Sequence, residues 1–345
     1  MIGKLKLSFF MAIALTCFAI FVGCQPNNRF TTTLKAGDTR IFRFPTRNVE
    51  GFRDLMTGDN AYDAKGLGTL YLPSKASQKN KVAVMVILHG SGGEWSGREV
   101  DQAGFLVQHG IGAFIVDTFV SRGLKKKDKY IQRLMKVNFP DQLTDAFAAL
   151  EILHTHPFVD SNRIGVMGYS MGGTTTILAA FEEIAQNSSR SKIRFALHVP
   201  FYAPCIIQPE NGKGTGATIV GLWGEEDETT PRSRCEELIK YLQDGGNSVK
   251  AIWFPGAAHG WNGKKPMRLY ENVPNFSACR FTILSDGSVF EAVTGMTSIT
   301  DKKFIENSEH CVGFGYTIGR HDETYIKANR ALLTGIEKFM PNPKK

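Results

Sequence analysis

No internal repeat and no long low-complexity run interrupts these 345 residues, which excludes solenoid, propeller and array architectures. Cysteine is scarce. There are six, none in a Cys-x-x-Cys pair, and their wide spacing argues against a zinc site; no metal or organic cofactor is expected. The net charge of +8 is moderate, and two of its lysines, Lys4 and Lys6, belong to the extreme N-terminus. No nucleic-acid-binding motif accompanies that charge, so no nucleic-acid partner is expected. The one basic cluster, Lys125-Lys126-Lys127-Asp128-Lys129, reads as a solvated loop, or else as a contact for anionic lipid or an acidic substrate. What is abundant is apolar: 42% of the residues are hydrophobic, enough for a single large core.

The N-terminus carries the one long apolar run. Met1 to Lys6 is short and basic, Leu7 to Val22 is apolar, and the run stops at Gly23-Cys24 before the polar Gln25-Pro26-Asn27-Asn28. That is the pattern of an export signal. About 16 residues is near the lower limit for spanning a bilayer, so an uncleaved anchor is the competing reading. Gly23 before Cys24 resembles a bacterial lipoprotein box, in which the cysteine is lipidated after cleavage, although Phe21 stands where leucine is usual. The expectation is a signal over 1–23, a lipid-modified Cys24 as first mature residue, and a protein held in the periplasm or cell envelope. An N-terminal extension over 24–65 would precede a domain over 66–345.

The most informative residues are Gly168-Tyr169-Ser170-Met171-Gly172-Gly173. An apolar strand pattern over 163–167 precedes them and a helical pattern over 174–185 follows, so the serine sits on a strand-to-helix turn of the G-x-S-x-G type. Glycines on both sides suit a turn whose backbones approach too closely for a Cβ. A serine hydroxyl needs a base to take its proton and a carboxylate to orient the base. The strand pattern over 217–223 runs into Gly224-Glu225-Glu226-Asp227-Glu228, and that over 249–254 runs into Pro255-Gly256-Ala257-Ala258-His259. The order Ser170, Asp227, His259 is that of an α/β-hydrolase. Val82 to Leu88 is a run suited to a strand buried on both faces, and it ends in His89-Gly90-Ser91-Gly92-Gly93. The Met171 and Ser91 amides are the candidate oxyanion donors. His89, at the end of an early strand, is read as structural rather than as the base. Asp117, after the strand over 111–116, is read as a loop-positioning residue, with Arg122 as its partner or as an ordinary surface contact.

From about Gly66 onward these segments resemble the dienelactone hydrolase family. The similar stretches are Val86 to Gly92, Val116-Asp117-Thr118-Phe119 with Arg122-Gly123, the Ser170 elbow, Gly224-Glu225-Glu226-Asp227, and Phe254 to His259. Motif matching selects Asp227 among its acidic neighbours. The family's namesake enzymes use a cysteine nucleophile where this chain has Ser170, and in that respect it is similar to general esterases. The resemblance implies a mostly parallel central sheet flanked by helices, the α/β-hydrolase fold, acting on a small-molecule ester or related acyl bond. A peptidase or acyltransferase with the same triad, or an idle binding protein on this fold, are the alternatives.

Four cysteines remain beyond Cys24, allowing three pairings. Cys205 and Cys235 sit at neighbouring strand ends, and Cys279 and Cys311 bracket a tail segment, so the expected bridges are Cys205 with Cys235 and Cys279 with Cys311. Segments 31–41 and 66–73 read as early strands, 141–154 as an amphipathic helix, and 325–339 as the closing helix. An insertion over 262–322, strand-rich at 280–284 with Asp286-Gly287 as a turn, is placed to wall the site.

Overall fold

The computed structural model describes residues 29–58, 61–298 and 308–342; the export signal and Cys24 lie outside the described residues. The strands in chain order are β1 (Arg29–Phe30), β2 (Ile41–Thr46), β3 (Ala64–Tyr71), β4 (Val82–Leu88), β5 (Gly112–Val116), β6 (Val159–Tyr169), β7 (Leu197–Phe201), β8 (Ile207–Pro209), β9 (Thr218–Gly224) and β10 (Ser248–Phe254). The C-terminal excursion adds β11 (Arg268–Asn275), β12 (Phe281–Ile283), β13 (Val289–Glu291), β14 (Met296–Ser298) and β15 (Gly313–Ile318). The helices are α1 (Phe52–Thr57), α2 (Arg98–Gln108), α3 (Thr118–Ser121), α4 (Tyr130–Lys136), α5 (Phe139–Leu153), α6 (Met171–Leu178), α7 (Glu182–Ser188), α8 (Arg232–Asp244) and α9 (Asp322–Phe339).

Nine strands form the central sheet in the order β1-β2-β3-β5-β4-β6-β7-β9-β10. β3 pairs antiparallel with both β2 and β5, and every other pair is parallel. The run in β4 explains why the sheet is covered on both faces. Val84, Val86 and Leu88 enter one core cluster, whereas Ala83, Met85 and Ile87 enter the other, as a period of two demands. Helix α5 closes one of these cores. Asn138 caps it, accepting from the Asp141 amide at 2.9 Å, and Pro140 stands in the first turn, where its missing N–H costs nothing.

Both expected bridges are present, Cys205–Cys235 and Cys279–Cys311. The first ties the loop after β7 to α8. The second ties the turn between β11 and β12 to the segment before β15. The excursion forms a two-stranded antiparallel β11-β15 sheet and, with β8, a sheet ordered β14-β13-β12-β8, in which β12 runs parallel to β8.

Three local expectations are corrected. Residues 31–40 are not a strand; the strand is Ile41–Thr46, which packs Phe42 and Phe44 into the core beside β3. The single helix expected over 174–185 is two, α6 and α7, because Phe181 leaves helical backbone to bridge Gly214 while the Glu182 amide bonds the Lys213 carbonyl at 2.9 Å. Arg122 does not pair with Asp117. It turns to α5 and bonds Asp141 and Asp145, each at 2.7 Å, because those carboxylates lie one turn apart on a buried helix face. Asp117 instead caps α3, accepting from the Val120 amide at 2.9 Å, and burial holds its carboxyl above the ordinary range.

Candidate active site

Ser170 stands between β6 and α6 with φ 53° and ψ −115°, a backbone state that a residue with a Cβ adopts only when its surroundings impose it. The glycines around it are what impose it. A Cβ on Gly168 would lie 2.1 Å from the Gly172 carbonyl oxygen, and one on Gly172 would lie 2.5 Å from the carbonyl oxygen of Leu88. The turn is therefore as tight as backbone contact allows. It is closed by the Ser170 amide donating to the Phe201 carbonyl at 3.0 Å.

The loops after β9 and β10 converge on that serine. His259 Nε2 lies 2.9 Å from Ser170 Oγ, and His259 Nδ1 lies 2.8 Å from Asp227 Oδ2. A carboxylate can only accept, so Nδ1 carries the proton and Nε2 presents its lone pair to the hydroxyl. Of the four acidic residues in the loop, Asp227 faces His259. Glu225 pairs with Arg232, and Glu228 accepts from the Thr317 amide and hydroxyl at 3.2 Å each. Asp227 and His259 are both buried. The arrangement can carry a proton from Oγ to the imidazole beside a carboxylate that balances the resulting charge.

Three residues at this point were not singled out from sequence. Thr229 donates from both its amide (2.9 Å) and its hydroxyl (2.7 Å) to Asp227 Oδ1, and its Oγ1 lies 2.9 Å from His259 Nδ1. It fixes the rotation of the carboxylate. Tyr202, with φ 37° just past β7, sets its ring 4.9 Å from the imidazole and donates to Asn262 Oδ1 at 2.6 Å. Tyr316 of β15 packs edge-on to His259 at 5.3 Å. Burial, then the nearby Tyr130 and Asp227, pushes its phenol above the ordinary value. The position of Thr229 two residues past a strand-end Asp was the available signal; for the tyrosines there was none.

Met171 opens α6, so its N–H has no partner within the helix, and the residue lines the same cavity as Ser170. Ser91 is a central residue of the turn closed by the Gly93 amide on the Gly90 carbonyl at 2.9 Å, which leaves the Ser91 amide outside that bond. Its hydroxyl accepts from Tyr130 at 3.0 Å. His89 stays behind the loop, buried, with its ring 4.4 Å from Phe119 and Nδ1 on the Gly90 carbonyl at 2.9 Å. Its carbonyl accepts from Gln142, whose own side-chain oxygen accepts from Thr175 of α6 at 2.8 Å. Loop, α5 and α6 are thus held in one register.

Ser170, Met171, Ser91 and His259 open onto a cavity of about 120 Å³. Phe52 of α1, Leu134 of α4, Phe139 of α5, and Phe276, Val289 and Tyr316 of the excursion supply much of its wall. The family model for dienelactone hydrolases matches residues 68–278, well over half of the chain. The chain belongs to the dienelactone hydrolase family. It is a hydrolase of the esterase kind on an α/β-hydrolase fold. Among solved structures, a Klebsiella pneumoniae protein described as a dienelactone hydrolase superposes with TM-score 0.50 at 13% identity, covering 87% of this chain and 99% of that one. A dienelactone hydrolase-like promiscuous phosphotriesterase from metagenomic libraries gives 0.49 at 11% identity, over 80% and 94%. Propionate-bound esterase 2 of Thermogutta terrifontis gives 0.45 at 17% identity, over 60% and 83%. No curated protein sequence matches the chain.

Proposed function

We propose that this family member is an exported serine hydrolase that cleaves a carboxylic ester through an acyl-enzyme. The observation that carries the reading is the continuous hydrogen-bonded series from Ser170 Oγ through His259 to Asp227 at the base of an apolar cavity. Ser170 Oγ attacks the ester carbonyl as His259 Nε2 takes its proton. The Met171 and Ser91 amides receive the oxyanion. The imidazolium, balanced by Asp227, then protonates the departing alkoxide, which leaves as the alcohol. Water repeats the sequence on the acyl-enzyme, releasing the acid and restoring Ser170. Thr229 keeps Asp227 aimed at Nδ1 throughout.

A fluorophosphonate probe tests this directly. Peptide mapping should find the adduct on Ser170, with labelling lost in Ser170→Ala and strongly slowed in His259→Ala. An unlabelled Ser170 in folded protein would leave a binding protein on this fold. Turnover of amides at rates comparable to esters, or acyl transfer to an acceptor other than water, would move the reading to a peptidase or an acyltransferase.

Export and anchoring belong to the same proposal. Two disulfides are the kind of bridge that persists in an oxidising compartment, which supports passage into the periplasm or envelope. The mature protein begins at a lipid-modified Cys24 and is membrane-held there. Mass spectrometry of the membrane-extracted protein decides it: an unmodified N-terminus at Gln25 or beyond would reject lipidation and leave export standing.

A further inference from the structure

The cavity wall is unusual in what it withholds. Among the described residues that line it, His259 is the only ionisable side chain apart from Tyr130 and Tyr316, and burial pushes both phenols upward, so they remain neutral. Three of the polar side chains on the wall are engaged with protein groups. Thr174 Oγ1 donates to the Pro204 carbonyl at 2.9 Å, Asn138 Oδ1 accepts from the Asp141 amide at 2.9 Å, and Tyr130 donates to Ser91 at 3.0 Å.

Two nearby arginines are held by carboxylates. Arg122 bonds Asp141 and Asp145, and Arg98 pairs with Glu99. The Arg133 guanidinium lies over the Trp95 ring at 5.1 Å and the Tyr130 ring at 5.8 Å, donates to the Gly92 carbonyl at 3.5 Å, and is not among the groups that line the cavity. A carboxylate carried into this cavity would give up its water and find no lysine or arginine in the wall to balance its charge. An alkyl or aryl group loses nothing and gains burial against Phe52, Phe139, Phe276 and Val289.

We infer that the substrate is an uncharged ester with an extended apolar acyl group, and that an ester bearing a free carboxylate on that group is rejected. This rests on the ester-hydrolase reading above. It fits the direction of the reaction as well. Hydrolysis of the neutral ester with one water gives an acid that ionises and an alcohol, and a wall without cations has nothing to retain the anionic product.

Three 4-nitrophenyl esters test it on the wild-type protein at pH 7.5: the hexanoate, the adipate monoester with a free terminal carboxylate, and the adipate with that carboxylate capped as a methyl ester. The hexanoate and the capped adipate should agree in kcat/KM within about tenfold, while the free adipate falls at least about a hundredfold below the capped one. The ratio of free to capped adipate cancels the protein's own titrations, so it should rise as pH falls toward the carboxylate's value of about 4.5. Free adipate turned over within tenfold of the capped ester would overturn the inference. If none of the three reacts and the fluorophosphonate leaves Ser170 untouched, the ester-hydrolase reading falls and takes this one with it. If Ser170 is labelled and the free adipate is preferred, only the substrate class is wrong.

Discussion

Replacing Gly172 by alanine should remove most of the turnover from a protein that still folds. A Cβ there would stand 2.5 Å from the Leu88 carbonyl oxygen and 2.7 Å from that of His89. Both are backbone atoms at the end of β4, so neither can swing aside as a side chain would. Restoring an ordinary contact requires the N-terminus of α6 and the end of β4 to part by about 0.9 Å. The Met171 amide moves with α6 and the Ser91 amide with the loop after His89, so the gap opens between the two proposed oxyanion donors. Losing one such donor costs about 10²–10³ in kcat, or ~2.7–4 kcal/mol of transition-state stabilisation. The overpacking itself should cost about 1–3 kcal/mol of stability, which a domain of this size survives.

The assay is kcat and KM on 4-nitrophenyl butanoate beside a melting curve. Gly104→Ala is the matched control, since it lies on α2 with nothing within 4 Å of the added methyl. It should leave kcat unchanged and stabilise by up to about 1 kcal/mol. A Gly172→Ala protein with kcat within fivefold of wild type would refute the reasoning.

Ser170→Ala and His259→Ala should each lower kcat by at least about three orders of magnitude, with the double variant little worse, and steady-state kinetics showing near-normal Ser170→Ala would reject the assignment. Asp227→Asn should also lose heavily, because an amide favours the wrong imidazole tautomer. Cys279→Ser and Cys311→Ser should each destabilise by about 3–4 kcal/mol on loop-closure grounds, and the double change should add little; additive losses in denaturant titrations would contradict a shared bond. Burial, and then the charge of Asp117, push the Glu94 carboxyl up to about 7. The fold therefore favours the protonated form, and stability present below about pH 4.5 is lost as pH rises through 7, to about 2 kcal/mol for a partly buried group. Glu94→Gln should melt several degrees higher than wild type at pH 8.5 and within a degree of it near pH 4.5; equal melting at both would sink the argument.

The legible parts of this chain were those in which local pattern and backbone geometry coincide. Seven consecutive apolar residues in β4 suit a strand buried on both faces, and glycines at 168, 172 and 173 suit a turn with no room for a Cβ. Asp227 and His259 were legible because each lies in the loop that follows a strand. What was hidden depends on partners distant in sequence. Helix propensity runs unbroken across Ala179 to Phe181, and only the bridge to Gly214 breaks it. Arg122 is five residues from Asp117 and about twenty from Asp141 and Asp145, yet packing gives it to the latter pair. Thr229 became visible once the carboxylate had a direction to be held in.

The family match ends at residue 278, one position before the cysteine that opens the second bridge. Beyond that point the chain still reaches back to His259. The His259 amide donates to the Thr317 carbonyl at 3.2 Å, the Gly319 amide donates to the His259 carbonyl at 3.0 Å, and Glu228 accepts from Thr317. The same strand sets Tyr316 against the imidazole and into the cavity wall, and its antiparallel partner β11 carries Pro274 to that wall. One disulfide-tied segment thus holds the backbone of His259 and supplies part of the cavity wall. The elbow can be common to a whole family because it depends on glycines and on backbone contact. The wall cannot be changed so freely, since a substitution in β15 that alters the cavity also shifts the loop on which His259 stands.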